Sequence, residues 1–192
     1  GIFACEQYDV FSQDAETYLG DGPLGEVRTI HFNAAPVGIS IDGTAANTAL
    51  FMNVWSAIKF VGRWKLTDWT VKADPDAVLI PDRLRMHLNG KPLKSYIVNC
   101  NKAGMATGPM MFGSVEALGR DALQEYYNRE GECKSHYEYG EDRWLGDCLN
   151  KLSVKGIQDF AMVGDKVCTG ANCGDGKAAY HHFKDVASWR QC

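Results

Sequence analysis

Asp74 and Asp76 stand one residue apart, where the apolar, β-prone run from Trp69 to Ala73 gives way to a second apolar run ending at Pro81. In a strand, residues i and i+2 point the same way, so these carboxylates would project together. A strand end is where an open α/β sheet usually offers its ligand site. Two hard oxygen donors on one side suit Mg²⁺ or Mn²⁺, which are held by a few carboxylates and by a substrate's phosphates. The competing reading is a solvated Asp-Pro-Asp turn, built from residues that favour turns.

Three further groups could carry chemistry. Glu141 and Asp142 follow Tyr-Gly at the start of an apolar-striped segment, where acids normally complement a helix dipole. His181 and His182 lie in Ala-Tyr-His-His-Phe, and a strand would turn them to opposite faces, so one alone could join a given site. Imidazole suits Mn²⁺ better than Mg²⁺; surface or capping histidines are the plainer alternative. The Gly-rich stretch Thr107 to Ser114, with Gly108 near its start, could form a strand-to-helix corner that receives an anion. There is no Walker A sequence and no GxGxxG, which argues against a nucleoside triphosphatase or dinucleotide enzyme.

The chain has 192 residues, the size of one domain. Its net charge of -4 argues against a nucleic-acid surface, which is normally basic. No apolar run reaches the roughly 20 residues that a membrane-spanning helix needs. Seven cysteines without a CxxC pair point to disulfides in an oxidising compartment. The odd number leaves one thiol free or paired outside the chain, a route into a larger assembly. Cys168 with Cys173, around Thr-Gly-Ala-Asn, is the one pairing that local spacing favours.

The elements that must position these groups are set by periodicity. Strands are expected at Ile2–Cys5, Arg28–Phe32, Trp69–Ala73 and Ser95–Cys100, with others near 110–112, 157–163 and 178–183. Residues 20–26 and 128–140 read as loops. A helix is expected from a Thr44 cap to Gly62, a short one from Pro81 to Leu88, one from a Ser114 cap to about Tyr127, and one from Glu141 to Leu152. Glu116 then falls in the first turn of the third. Alternating helices and strands indicate an α/β fold with a mainly parallel sheet.

Taken in order, four segments resemble the GT-A glycosyltransferases of the fringe and β-1,3-galactosyltransferase group. The family's Trp-x-x-Lys-Ala-Asp-Asp-Asp strand is matched by Trp69-Thr-Val-Lys72-Ala73-Asp74-Pro75-Asp76, with Pro75 in place of the middle Asp. Its Ser-x-Glu-Ala-Leu segment is matched by Ser114-Val-Glu116-Ala117-Leu118, and its Glu-Asp-x-x-x-Gly-x-Cys-Leu by Glu141-Asp142 through Cys148-Leu149. A His-aromatic-x-Asp element is matched by His182-Phe183-Lys184-Asp185.

The resemblance implies a three-layer α/β/α Rossmann-like GT-A fold with a mixed, mainly parallel sheet. It implies one domain over 1–192, with the family's first strand and helix lying before Gly1. It implies a UDP-sugar donor, Mn²⁺ (or Mg²⁺), and a glycan or glycoprotein acceptor, in the secretory pathway: Golgi lumen, outside the cell, or another organelle lumen. Asp76, Asp74 and His182 would hold the metal, and Asp74, Gly108 and Glu141 would bind the donor. Asp142 would be the base that deprotonates the acceptor hydroxyl, giving inversion. The alternative is a non-catalytic relative, serving as a structural subunit or a sugar-binding module.

Overall fold

The computed structural model describes residues 1–41, 43–101, 108–133, 140–170 and 172–192. In chain order the strands and helices are β1 (Val10–Ser12), β2 (Tyr18–Gly22), β3 (Gly25–His31), β4 (Gly38–Ile39), β5 (Ala45–Ala46), α1 (Thr48–Val61), β6 (Trp69–Ala73), β7 (Val78–Leu79), α2 (Pro81–Leu88), β8 (Ser95–Val98), β9 (Val115–Gly119), α3 (Arg120–Arg129), α4 (Glu141–Lys151), β10 (Lys155–Gln158), β11 (Val163–Asp165), β12 (Ala179–His181) and α5 (Val186–Gln191). The fold is α/β with mixed sheets.

The central sheet runs β10-β8-β9-β6. β10 pairs parallel with β8, whereas β9 is antiparallel to both of its neighbours. The reversal starts at the end of β8, where Cys100 bridges antiparallel to Met110 and sends the chain back beside itself. A smaller sheet, β11-β12-β7, mixes a parallel and an antiparallel pairing.

Side-chain alternation along the central strands divides the core in two. Tyr96, Val98 and Leu118 pack with Trp55 of α1, Leu123 and Tyr126 of α3, and Trp144, Leu145 and Leu149 of α4. Ile97, Val115 and Ala117 face the other way, onto Leu84 and Leu88 of α2 and onto Met162, Val163 and Ala179 by the small sheet. Helices thus cover one face, and a helix with a small sheet covers the other.

Several expected elements are met closely. Trp69–Ala73 is a strand, Pro81 opens α2, and Gly62 ends α1 in the left-handed conformation at φ 78°. Others are corrected. Ile2–Ala4 is a turn of 3-10 helix. Residues 20–26 form the hairpin of β2 and β3 rather than an irregular loop. Thr44 does not open α1; Asn47 precedes the first turn, and its side chain accepts the N–H of Glu141 at 2.9 Å. Val115 to Gly119 is a wholly buried strand, with the helix starting only at Arg120. Glu116 therefore lies inside the sheet, not at a helix N-terminus. Of the loop expected over 128–140, residues 134–139 lie outside the described residues, and Glu130–Glu132 form a 3-10 turn. Helix α5 adds to the expected elements; Asp185 caps it by accepting from the Ser188 N–H at 2.9 Å.

The disulfides are Cys100–Cys168, Cys133–Cys148 and Cys173–Cys192, which corrects the expected Cys168–Cys173 pair. Cys168 closes a turn by donating its N–H to the Asp165 carbonyl at 3.1 Å, which returns it to the end of β8. Cys173 instead meets the last residue. Cys5 is free and half-buried, and burial pushes its thiol up. Three bridges fit an oxidising compartment.

Candidate functional site

Asp74 and Asp76 do not continue the strand. They belong to a tight turn that the Ala77 N–H closes onto the Asp74 carbonyl at 3.0 Å, with Pro75 at its second position. The turn reading and the metal reading both hold in part, because the turn still gathers the two carboxylates. One ligand atom from each of Asp74, Asp76 and His181 lies within 4.8 Å of the others. The histidine is His181. His182, the expected third ligand, is exposed and outside this group.

His181 ends β12, directly beside Asp165 of β11 in the parallel register. Its Nδ1 bonds the buried Asp165 carboxylate. With that nitrogen engaged, Nε2 is the one left to face Asp76 Oδ1, at 3.5 Å. Carboxylate oxygens with one oriented imidazole are a donor set that fits Mn²⁺ or Mg²⁺, with Mn²⁺ favoured by the nitrogen. Asp76 also bonds Lys184. Burial raises the Asp76 carboxyl, but the Lys184 bond and the adjacent His181 outweigh it and hold the group below its usual value.

Behind the pair lies a buried charged network. Lys72 and Glu116 oppose each other on adjacent strands. The Lys72 ammonium is 3.0 Å from Glu116, 3.2 Å from Asp74 and 3.6 Å from Glu141, and it donates to the Gly113 carbonyl at 2.9 Å. The Phe51 ring lies 4.2 Å away. Burial pulls Lys72 down, yet the surrounding carboxylates outweigh it and hold the ammonium well above its ordinary value. Glu116 moves far up, through burial and then the adjoining Glu141 charge. Its Oε1 is the oxygen that meets Lys72, and its Oε2 has no hydrogen-bond partner among the described residues. Glu141 is buried and accepts the Trp55 indole N–H at 2.7 Å. It is a component of this network and not a surface dipole complement.

Asp142 sits at the same helix start, between two glycines. Its carboxylate accepts the Gly113 N–H at 2.9 Å and the Arg143 N–H at 2.7 Å. A Cβ on Gly113 would stand 3.3 Å from Asp142 Oδ2, and one on Gly140 3.0 Å from Oδ1. Burial and then the Glu141 charge push Asp142 up to about 6. It lines a small cavity of about 80 Å³ with Tyr96, Met111 and Asn150. A carboxylate titrating near neutrality and facing a cavity has the properties of a general base. Gly113 links the two halves of the site, its N–H donating to Asp142 and its carbonyl accepting from Lys72.

Asp74 and Lys72 also line a cleft of about 1490 Å³ that runs along β6 between the N-terminal segment, α1 and α2. Gly108 adopts φ 67°, and a Cβ there would meet nothing within 4 Å, so the glycine serves a backbone turn and not close packing. Thr107 of the same segment lies outside the described residues. No helix among the described residues is long and apolar enough to cross a membrane.

Three residues of the site have no role assigned from the sequence. Lys72 has a local signal, a lone charge between Val71 and Ala73 in an apolar strand. Asp165 and Lys184 have none, since their importance depends on which strands become neighbours.

No protein-family profile matches the chain, and no curated protein matches it. Among solved structures, it is similar to a glycosyltransferase involved in the glycosylation of the major capsid of PBCV-1. The identity is 12% and the TM-score 0.47, over 83% of this chain and 79% of that one. At that degree of similarity, the side chains themselves must carry the functional reading.

Proposed function

We propose that the chain is a metal-dependent glycosyltransferase domain that moves a sugar from a UDP-sugar to a hydroxyl of a glycan or glycoprotein, with inversion. The observation that carries this reading is the convergence of Asp74, Asp76 and His181, with Asp165 orienting the imidazole. Asp76 and His181 would hold Mn²⁺ directly, and Asp74 would complete the shell or meet the donor. A cation held there would supply positive charge against the charge that develops on the donor's diphosphate. Lys72 keeps the Asp74 carboxylate in place, and the Gly113 N–H does the same for Asp142. Asp142 accepts the acceptor's hydroxyl proton, for which its raised affinity for protons is suited. The cleft beside Asp74 exceeds the usual size of a small-ligand pocket and has room for a nucleotide. The disulfides favour the secretory pathway, with the Golgi lumen as the expected site of action.

Calorimetric titration of UDP with and without Mn²⁺ tests the reading. UDP binding should require Mn²⁺, and Asp76→Ala should abolish it. Unchanged affinity in that variant would remove the assigned role of Asp76. A second reading, a non-catalytic subunit or sugar-binding module of the same fold, is favoured by one observation: Lys184 already answers the charge of Asp76. Absence of UDP binding with and without metal would select it.

A further inference from the structure

The chain after β12 is tied across the candidate metal site at several points. The Phe183 N–H donates to the Asp76 carbonyl at 2.9 Å. The Trp189 indole donates to the Ala77 carbonyl at 3.2 Å. Cys192 closes onto Cys173. Lys184 is therefore held beside the Asp74–Ala77 turn by its backbone, while its side chain remains 71% exposed and reaches back to Asp76, whose side chain is 17% exposed. The ammonium occupies the carboxylate that a metal ion would need.

Entry of a metal would reverse the balance of charge around this lysine. Asp74 already has a cation in the buried Lys72 ammonium, 3.2 Å away. Asp76 is the carboxylate that Lys184 answers, with His181 Nε2 3.5 Å from its other oxygen. A divalent cation on the two aspartates meets their charge in full. Lys184 then has no counter-charge, yet its backbone cannot leave the turn.

We propose that Lys184 is a resident counter-ion that a divalent metal displaces from Asp76, and that the released ammonium then binds the diphosphate of the metal-bound nucleotide. This deepens the reading above and rests on it. The residue acts with opposite sign in the two steps. It competes with the metal alone, and it assists the metal with its diphosphate.

The test measures Mn²⁺ binding by electron paramagnetic resonance, and UDP and inorganic pyrophosphate binding by calorimetry at saturating Mn²⁺, in the parent, Lys184→Met and Lys184→Arg. Lys184→Met should bind Mn²⁺ alone about five- to tenfold more tightly, the scale of a charged hydrogen bond at a partly buried carboxylate. The same variant should bind UDP and pyrophosphate about tenfold more weakly in the presence of Mn²⁺. Lys184→Arg keeps the charge and should stay within about threefold of the parent in each measurement. Equal or weaker Mn²⁺ binding by Lys184→Met would overturn the counter-ion role. Unchanged UDP and pyrophosphate affinity would overturn the diphosphate role. Loss of the effect for UDP but not for pyrophosphate would also overturn it, since the shared chemistry is the diphosphate. If no protein binds Mn²⁺, the parent included, the metal reading itself falls and this proposal falls with it.

Discussion

Lys72 and Glu116 face each other across β6 and β9 at 3.0 Å in the interior of the sheet. This pairing sets a lopsided expectation for substitution. Lys72→Met leaves Glu141 and Asp74 without their cation, and loss of one partner of a buried ion pair costs about 3–5 kcal/mol. Glu116→Gln keeps an oxygen acceptor for the ammonium and spares a buried carboxyl its desolvation, so it should change stability by less than about 1 kcal/mol. Urea denaturation at pH 7 separates the two.

His181 and His182 should differ sharply. His181→Ala is expected to weaken Mn²⁺ binding at least tenfold, and His182→Ala to leave it within twofold. Asp165→Asn, which loses the charged acceptor at His181 Nδ1, should cost about 10–100-fold, the usual scale for an orienting partner. Paramagnetic titration of the three variants checks the order.

Asp142 predicts an acid limb in the pH profile. A base must be unprotonated, so transfer should fall as the pH drops through about 6. Asp142→Asn should abolish transfer and keep Mn²⁺-dependent UDP binding. Retained transfer would place the base elsewhere.

The same substitution should stabilise the fold. The folded carboxyl holds its proton up to about 6, against 3.8 for the ordinary group. The folded state therefore binds more protons between these values, and stability falls as the pH rises through that window. Above it, Asp142→Asn should recover up to about 3 kcal/mol, less any loss at the Gly113 N–H. Thermal unfolding at pH 4 and pH 7.5 should show the gain only at the higher pH.

Gly119 tests the fold apart from the site. A Cβ there would stand 2.2 Å from the Leu93 carbonyl oxygen, and backbone cannot yield as a flexible side chain can. Gly119→Ala should destabilise by at least about 2 kcal/mol. Gly131→Ala, where a Cβ meets nothing within 4 Å, serves as its control.

Legibility in the sequence depends on whether the signal is local. The run from Trp69 to Ala73, the Pro81 start and the Gly62 stop are legible because propensity and packing agree there. Ser114 to Leu118 misleads because Glu, Ala and Leu favour helices. Burial on both faces, with Lys72 opposite Glu116, makes that segment a strand. The spacing of Asp74 and Asp76 points to the site, although a turn and not a strand brings them together. Which histidine joins them cannot be read locally, because it depends on β12 lying beside β7 and β11. The disulfides are hidden for the same reason, since Cys100 and Cys168 are 68 residues apart in sequence.

That long-range bridge couples the redox environment to the chemistry. Cys100 marks the end of β8 in the central sheet, and Cys168 comes just after β11, whose Asp165 orients His181. Asp74 and Asp76 arrive on the turn after β6, from the central sheet, whereas His181 arrives from the small one. A covalent loop of this length is worth roughly 4 kcal/mol in chain entropy. In a reducing milieu the two halves of the candidate ligand set would lose the brace that keeps them in register, so a protein made in the cytosol should hold Asp74, Asp76 and His181 together less firmly.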